Sequence, residues 1–118
     1  MKIDGTEFGS ITIDGKTYDH DVVIDLSGAV TKRKKRLSKE KYGTSHIISK
    51  AEAKAIFEEG CRLLIIGAGQ DGNVRLSDEA EDYFKKHGCA VVLRRTPEAV
   101  DAFNRSGGHK IALMHVTC

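Results

Sequence analysis

The sequence predicts a single α/β domain, in which a unit of strands alternating with helices stands behind an N-terminal β-hairpin layer. Three observations carry that expectation. The stretch "SITIDGKTYDHDVVID" alternates about Asp14-Gly15, a pair suited to a type I′ turn because both central residues of that turn need positive φ. The runs "LLII", "CAVVL" and "KIALMHV" are apolar without alternation, as strands covered on both faces are. Helix-period segments separate those runs, the pattern of strands joined by crossover helices.

In chain order, residues 1–35 read as β structure: two strands around Asp14-Gly15, a turn at Ser27-Gly28, and a third strand in "AVTKRKK". "SKEKYGTSH" reads as a polar loop. Residues 49–116 then read as αβαβαβ. Ser49 and Glu52 form a capping box, Ala53, Ile56 and Phe57 line one helical face, and Gly60 stops the helix. Ser77 opens a second helix with Ala80, Tyr83, Phe84 and His87 on one side and Gly88 at its end. Thr96 caps a third, Pro97 takes the first helical position, and Ala99, Val100 and Phe103 face inward before Gly107-Gly108.

At 118 residues the chain has room for one core and no second domain. No apolar run approaches the roughly 18 residues needed to span a bilayer, and "MKIDGTEFGS" has neither a secretory signal nor a transit peptide pattern, so the cytoplasm is the expected compartment. Cys61, Cys89 and Cys118 are odd in number and none lies in C-x-x-C spacing, which suggests neither a disulfide framework nor a zinc knuckle. The net charge of +2 conceals a segregation. Residues 32–41, "KRKKRLSKEK", hold seven Lys or Arg against one Glu, whereas the segment before them is acidic. Lys32, Arg33, Lys34, Lys35 and Arg36 thus form a basic stripe that a nucleic-acid phosphate would meet first. Aromatic platforms are scarce beside it, so nucleic acid is an unlikely partner and a Lys/Arg-guarded edge strand is the favoured reading.

Gly67, Gly69 and Gly72 in "LLIIGAGQDGNV" reproduce G-x-G-x-x-G behind an apolar run. In a dinucleotide fold the helix begins inside that motif and aims its N–H groups at a pyrophosphate. Here the best cap, Ser77 with Asp78 and Glu79 behind it, lies five residues beyond Gly72, so the glycines are expected to give a tight exit from a buried strand. An alternative keeps the loop as a nest for a small anion, with Asp71 and Gly72 at its rim and Arg94 as counter-charge. His115 and Cys118 form H-x-x-C. On a strand they would face opposite sides, one metal would reach both only if the end curled, and a thiol nucleophile there would lack an orienting acid. His46, in a loop beside small hydroxyl residues, is a pocket candidate.

Together, "AVTKRKKRLSKEKYGTSHII", "LLIIGAGQDG", "YFKKHG", "TPEAVDAFN" and "HVTC" resemble, across essentially the whole chain, an archaeal-type domain of unknown function shared with the adipogenesis-associated protein and a mitochondrial complex I assembly factor. The resemblance implies a compact three-layer α/β fold, with a mixed central sheet that carries helices on one side and the N-terminal hairpin on the other, no assigned reaction, and convergence of the matching motif residues Gly43, Thr44, His46, Gly67, Gly69, Asn104 and His115. The resulting expectation is a non-enzymatic interaction or assembly module, monomeric or weakly dimeric, with a protein partner, no catalytic residue, no metal and no cofactor. A binder of, or enzyme acting on, a small anionic or phosphate-bearing ligand at Gly67–Gly72 is the alternative, and nucleic-acid contact through residues 32–41 the third.

Overall fold

A computed structural model describes all 118 residues. Strands β1 (Ile3–Glu7), β2 (Ser10–Ile13) and β3 (Lys16–Tyr18) form an antiparallel meander. Its β2–β3 turn has φ of 48° at Asp14 and 81° at Gly15, the positive pair that the type I′ geometry demands. Alternation places Ile3, Ile11 and Ile13 on the buried face.

The central sheet has the order β5-β4-β10-β7-β9. β7 (Leu63–Ala68), β9 (Ala90–Arg94) and β10 (Lys110–His115) are parallel; β4 (Val22–Ile24) runs antiparallel to β10, and β5 (Val30–Lys32) antiparallel to β4. The sheet is therefore mixed, as expected. One face is covered by the meander and α4 (Thr96–Arg105), burying Ile65, Ala112 and Met114 with Val100 and Phe103. The other is covered by α2 (Lys50–Ile56) and α3 (Asp78–Lys86), burying Leu64, Ile66, Ile111 and Leu113 with Ala53 and Phe84. Period-2 alternation along β10 therefore puts His115, like Ile111 and Leu113, on the α2/α3 face.

Three local readings are corrected. The segment read as a loop contains helix α1 (Arg36–Tyr42): its Arg, Leu, Lys and Glu are good helix formers, and buried Ser38 anchors it. It ends at Gly43, whose φ of 71° places it in the left-handed conformation that closes a helix. The capping box at Ser49 is half made. Ser49 Oγ accepts from the Glu52 N–H at 3.1 Å, but the Ser49 N–H donates to Ser38 Oγ and the Glu52 carboxylate is held elsewhere; α2 ends at Ile56, ahead of Gly60. Thr96 is not a cap. Arg95 occupies that position without a side-chain bond to the helix N–H groups, and Thr96 Oγ1 is buried between Gly69 and His115.

Two short strands, β6 (Ile47–Ile48) and β8 (Arg75–Leu76), pair in parallel, and they tie the 43–49 connection to the segment after β7 through Arg75 N–H to His46 O at 2.8 Å. No helix is long and apolar enough to cross a membrane.

Candidate functional site

The carboxyl ends of β7 and β10 and the loop before β6 meet at one point, the place where open α/β sheets form crevices. His115 ends β10, and the chain then curls. Cys118 Sγ consequently lies 3.7 Å from His46 Nε2, and the two imidazoles meet edge to face with centroids 5.4 Å apart. His46 is itself placed by Thr44, whose Oγ1 accepts the His46 N–H at 3.1 Å, and by the β6–β8 pairing. The expectation that His115 and Cys118 face apart, with no acid to orient the histidine, is thus corrected: the end does curl, and Asp21 is the acid.

Asp21 precedes β4 and is fully buried. Its Oδ2 takes His115 Nδ1 at 2.7 Å and its Oδ1 takes the Val116 N–H at 2.9 Å. Burial raises the carboxyl's pKa, but the hydrogen bonds from His115 and the Val116 N–H, with the charges of His115 and Lys35, outweigh it and hold Asp21 at about 2. An ionised carboxylate only accepts, so Nδ1 of His115 carries a proton, and whenever the ring is neutral its lone pair falls on Nε2, 3.2 Å from the Thr117 hydroxyl.

Beneath this lies a buried ion network. Arg33 donates to Glu52 in a two-pronged bond (Nε–Oε2 2.6 Å, Nη2–Oε1 3.0 Å), to Asp21 Oδ2 at 3.0 Å, and to the Ser45 carbonyl at 2.7 Å. Ser38 Oγ donates to Glu52 as well. Burial lowers the Arg33 pKa and its bonds and charge contacts with Glu52 and Asp21 more than reverse that. No buried side-chain polar atom lacks a partner. One arginine between two carboxylates leaves a net negative charge, which half-exposed Lys35 approaches at 3.7 Å.

This removes Arg33 from the expected surface stripe, since it is 3% exposed. A strongly basic chain segment puts four cations near solvent and one inside, where the five donors of a planar guanidinium fork onto Glu52 and still reach Asp21 and the Ser45 carbonyl.

The glycines have a different role from phosphate binding. The helix after β7 starts only at Asp78, with Ser77 Oγ accepting the Ala80 N–H at 3.1 Å, as the sequence implied. Between Gly69 and Val74 the N–H groups of Gly69, Gln70, Gly72, Asn73 and Val74 donate to Thr96 Oγ1, Thr117 O, Gly69 O, Cys118 O and Ala68 O. Those donors are engaged by the chain itself, two of them by its 117–118 tail. A Cβ on Gly69 would stand 2.5 Å from the Cys118 carbonyl carbon and 2.8 Å from the His115 ring, and one on Gly67 2.7 Å from Met114 Sδ. The missing side chain at Gly69 lets the tail dock, and that at Gly67 makes room for Met114 and Thr96.

The remaining expected residues do not converge here. Asn104 clamps α4 to β1, accepting the Ile3 N–H at 3.0 Å and donating to Ile3 O at 2.8 Å. Asp71, Gly72 and Arg94 are exposed; Arg94 donates to the Leu93 carbonyl, and Gly72 packs near Arg95, itself paired with Glu98. Gly43 ends α1. Of the expected set, Thr44, His46, Gly67, Gly69 and His115 belong to the site. Sequence reasoning missed Asp21, Glu52 and Thr96 as members; an acid directly preceding the apolar "VVI" run was the available signal for Asp21.

Fold and site together define a small α/β domain with an open mixed sheet and a histidine–cysteine cluster at its carboxyl end. The chain belongs to the family described as "Protein of unknown function (DUF498/DUF598)", whose model matches residues 3–114. It is similar to a conserved hypothetical protein from Pyrococcus horikoshii OT3, at 35% identity and a TM-score of 0.93 over 100% of both chains. It is also similar to the protein solved under the name MT938, at 32% identity and a TM-score of 0.83, over 99% of this chain and 98% of that one. A Bordetella parapertussis protein at 15% identity shares the fold, with a TM-score of 0.75 over 98% and 94% of the two chains.

Proposed function

We propose that this chain is a protein-interaction module that receives its partner along the outer edge of β9. The observation that carries this reading is the contrast between the sheet's two margins. β5 ends the sheet with exposed Thr31 and Lys32, whereas β9 ends it with half-buried Val91, Val92 and Leu93 and no strand beyond. An apolar edge whose one charge, Arg94, stands at the strand's last position is a template for strand addition, and natural folds block such edges unless they are used. The aromatic group of Phe57, Tyr83 and His87, packed ring to ring beside α3, lies over the same half of the sheet and supplies the side-chain type that interfaces favour. The resemblance to the complex I assembly factor and the adipogenesis-associated protein supports an assembly role. The anion alternative draws less support because five of the six 69–74 amides are engaged, and the nucleic-acid alternative loses Arg33 from its stripe.

A photo-reactive residue placed at Val92 tests the reading in native extract, with one at exposed Lys16 of the meander as control. One stoichiometric crosslinked species from position 92 and none from position 16 is expected. No species at 92, or the same species from both positions, contradicts it.

A further inference from the structure

The geometry points to a site for a zinc-class divalent metal ion held by His46, His115 and Cys118. One donor atom from each lies within 4.8 Å of the other two. Tetrahedral zinc, with bonds of about 2.1 Å to nitrogen and 2.3 Å to sulfur, sets its ligands roughly 3.5 Å apart. The Cys118 Sγ to His46 Nε2 separation of 3.7 Å already meets that spacing. Small side-chain rotations close the rest, and Cys118 and His46 are both half-exposed, so an ion has access from solvent.

The surroundings favour the same assignment. A metal-binding histidine usually donates its other ring N–H to a carboxylate, which fixes the tautomer and strengthens the lone pair; Asp21 does this to His115 Nδ1 at 2.7 Å, leaving Nε2 for the ion. Two imidazoles and one thiolate suit zinc and its neighbours rather than calcium or magnesium, which take oxygen ligands. Binding requires no redox change. The Cys118 thiol releases its proton to solvent as the sulfur–metal bond forms, and each histidine contributes a lone pair. Three protein ligands leave a fourth position for water or a ligand group. The inference is independent of the β9 docking reading, which lies at the sheet margin.

Cobalt(II) serves as the probe, added to metal-free protein. One ion per chain is expected, giving the absorption of a four-coordinate centre and a thiolate-to-cobalt charge-transfer band, both removed by zinc. The band should vanish in Cys118→Ser and persist in a Cys61→Ser/Cys89→Ser variant. His46→Gln, at a half-exposed position that the core does not need, should weaken binding at least 10-fold, and Asp21→Asn by about 10- to 100-fold. Matching thermal midpoints of the metal-free Cys118→Ser and His46→Gln variants exclude misfolding, so those two decide if Asp21→Asn fails to fold. No cobalt spectrum, an unchanged band in Cys118→Ser, or loss of the band in Cys61→Ser/Cys89→Ser overturns the assignment.

Discussion

The parallel strands carry sulfur at both ends, and the two ends treat it differently. At the amino end Cys61 precedes β7 and Cys89 precedes β9, with their sulfurs 3.5 Å apart. Both are buried among Ala53, Leu64, Phe84 and Ile111, and burial, then the hydrogen bond with Cys61, pushes the Cys89 thiol up to about 12. There a cysteine acts as a small hydrophobe. At the carboxyl end Cys118 is half-exposed, beside two imidazoles and above a buried ion network. The difference shows where this fold concentrates polar chemistry: the amino end is sealed, and charged side chains are brought inside only beneath the carboxyl end, each with a partner.

The largest contrast should come from removing those partners. Arg33→Ala leaves Asp21 and Glu52 buried without their cation and should lower unfolding free energy by about 3–5 kcal/mol in urea titration, enough to unfold a marginal domain. Cys89→Ala, at the other end, should cost only about 1 kcal/mol. An Arg33→Ala loss no larger than that of Cys89→Ala would erase the distinction.

Next in size is the docking of the tail. Gly69 has φ of 101° and no room for a Cβ, so Gly69→Ala should cost about 2–4 kcal/mol and speed alkylation of Cys118 as the tail lifts. Gly88, with φ of 70° but open space around it, should show the smaller penalty of backbone conformation alone.

A pH titration sharpens the comparison further. The folded pKa of Asp21, about 2, lies below the unfolded value near 3.9, so the unfolded chain binds the proton more readily. The stabilisation is present above about pH 4 and is lost as pH falls towards 2; it is on the order of 2 kcal/mol. Asp21→Asn should flatten that part of the stability curve. The smallest effect is one of reactivity: at neutral pH, native protein should take a single alkyl group, on Cys118, and denatured protein three, by intact mass.

Much of this fold was legible in the letters. Asp14-Gly15 and Ser77 act through neighbours a few residues away, so their turn and cap were readable, and three unalternating runs announced strands, of which β7 and β10 are buried while β9 is the half-exposed margin of the sheet. What failed, helix α1 apart, depends on distance along the chain. Thr96 and Glu52 have the residue types of caps, but their side chains bond His115 and Arg33, partners 19 residues away in each case. Asp21 and His115 are 94 residues apart. Their pairing exists only because β4 and β10 are neighbours in the sheet, and no local pattern encodes that. The glycine motif was half legible: its distance from the next helix argued against a pyrophosphate, while the tail that it accommodates lay out of view, 45 residues downstream.

The most direct test of the carboxyl-end account is the tautomer of His115, read from long-range nitrogen–hydrogen couplings in the NMR spectrum of metal-free protein at a pH where the ring is neutral. The account predicts a proton on Nδ1, donated to Asp21, with Nε2 unprotonated, and loss of that preference in Asp21→Asn. A proton on Nε2 in the wild-type chain would contradict it.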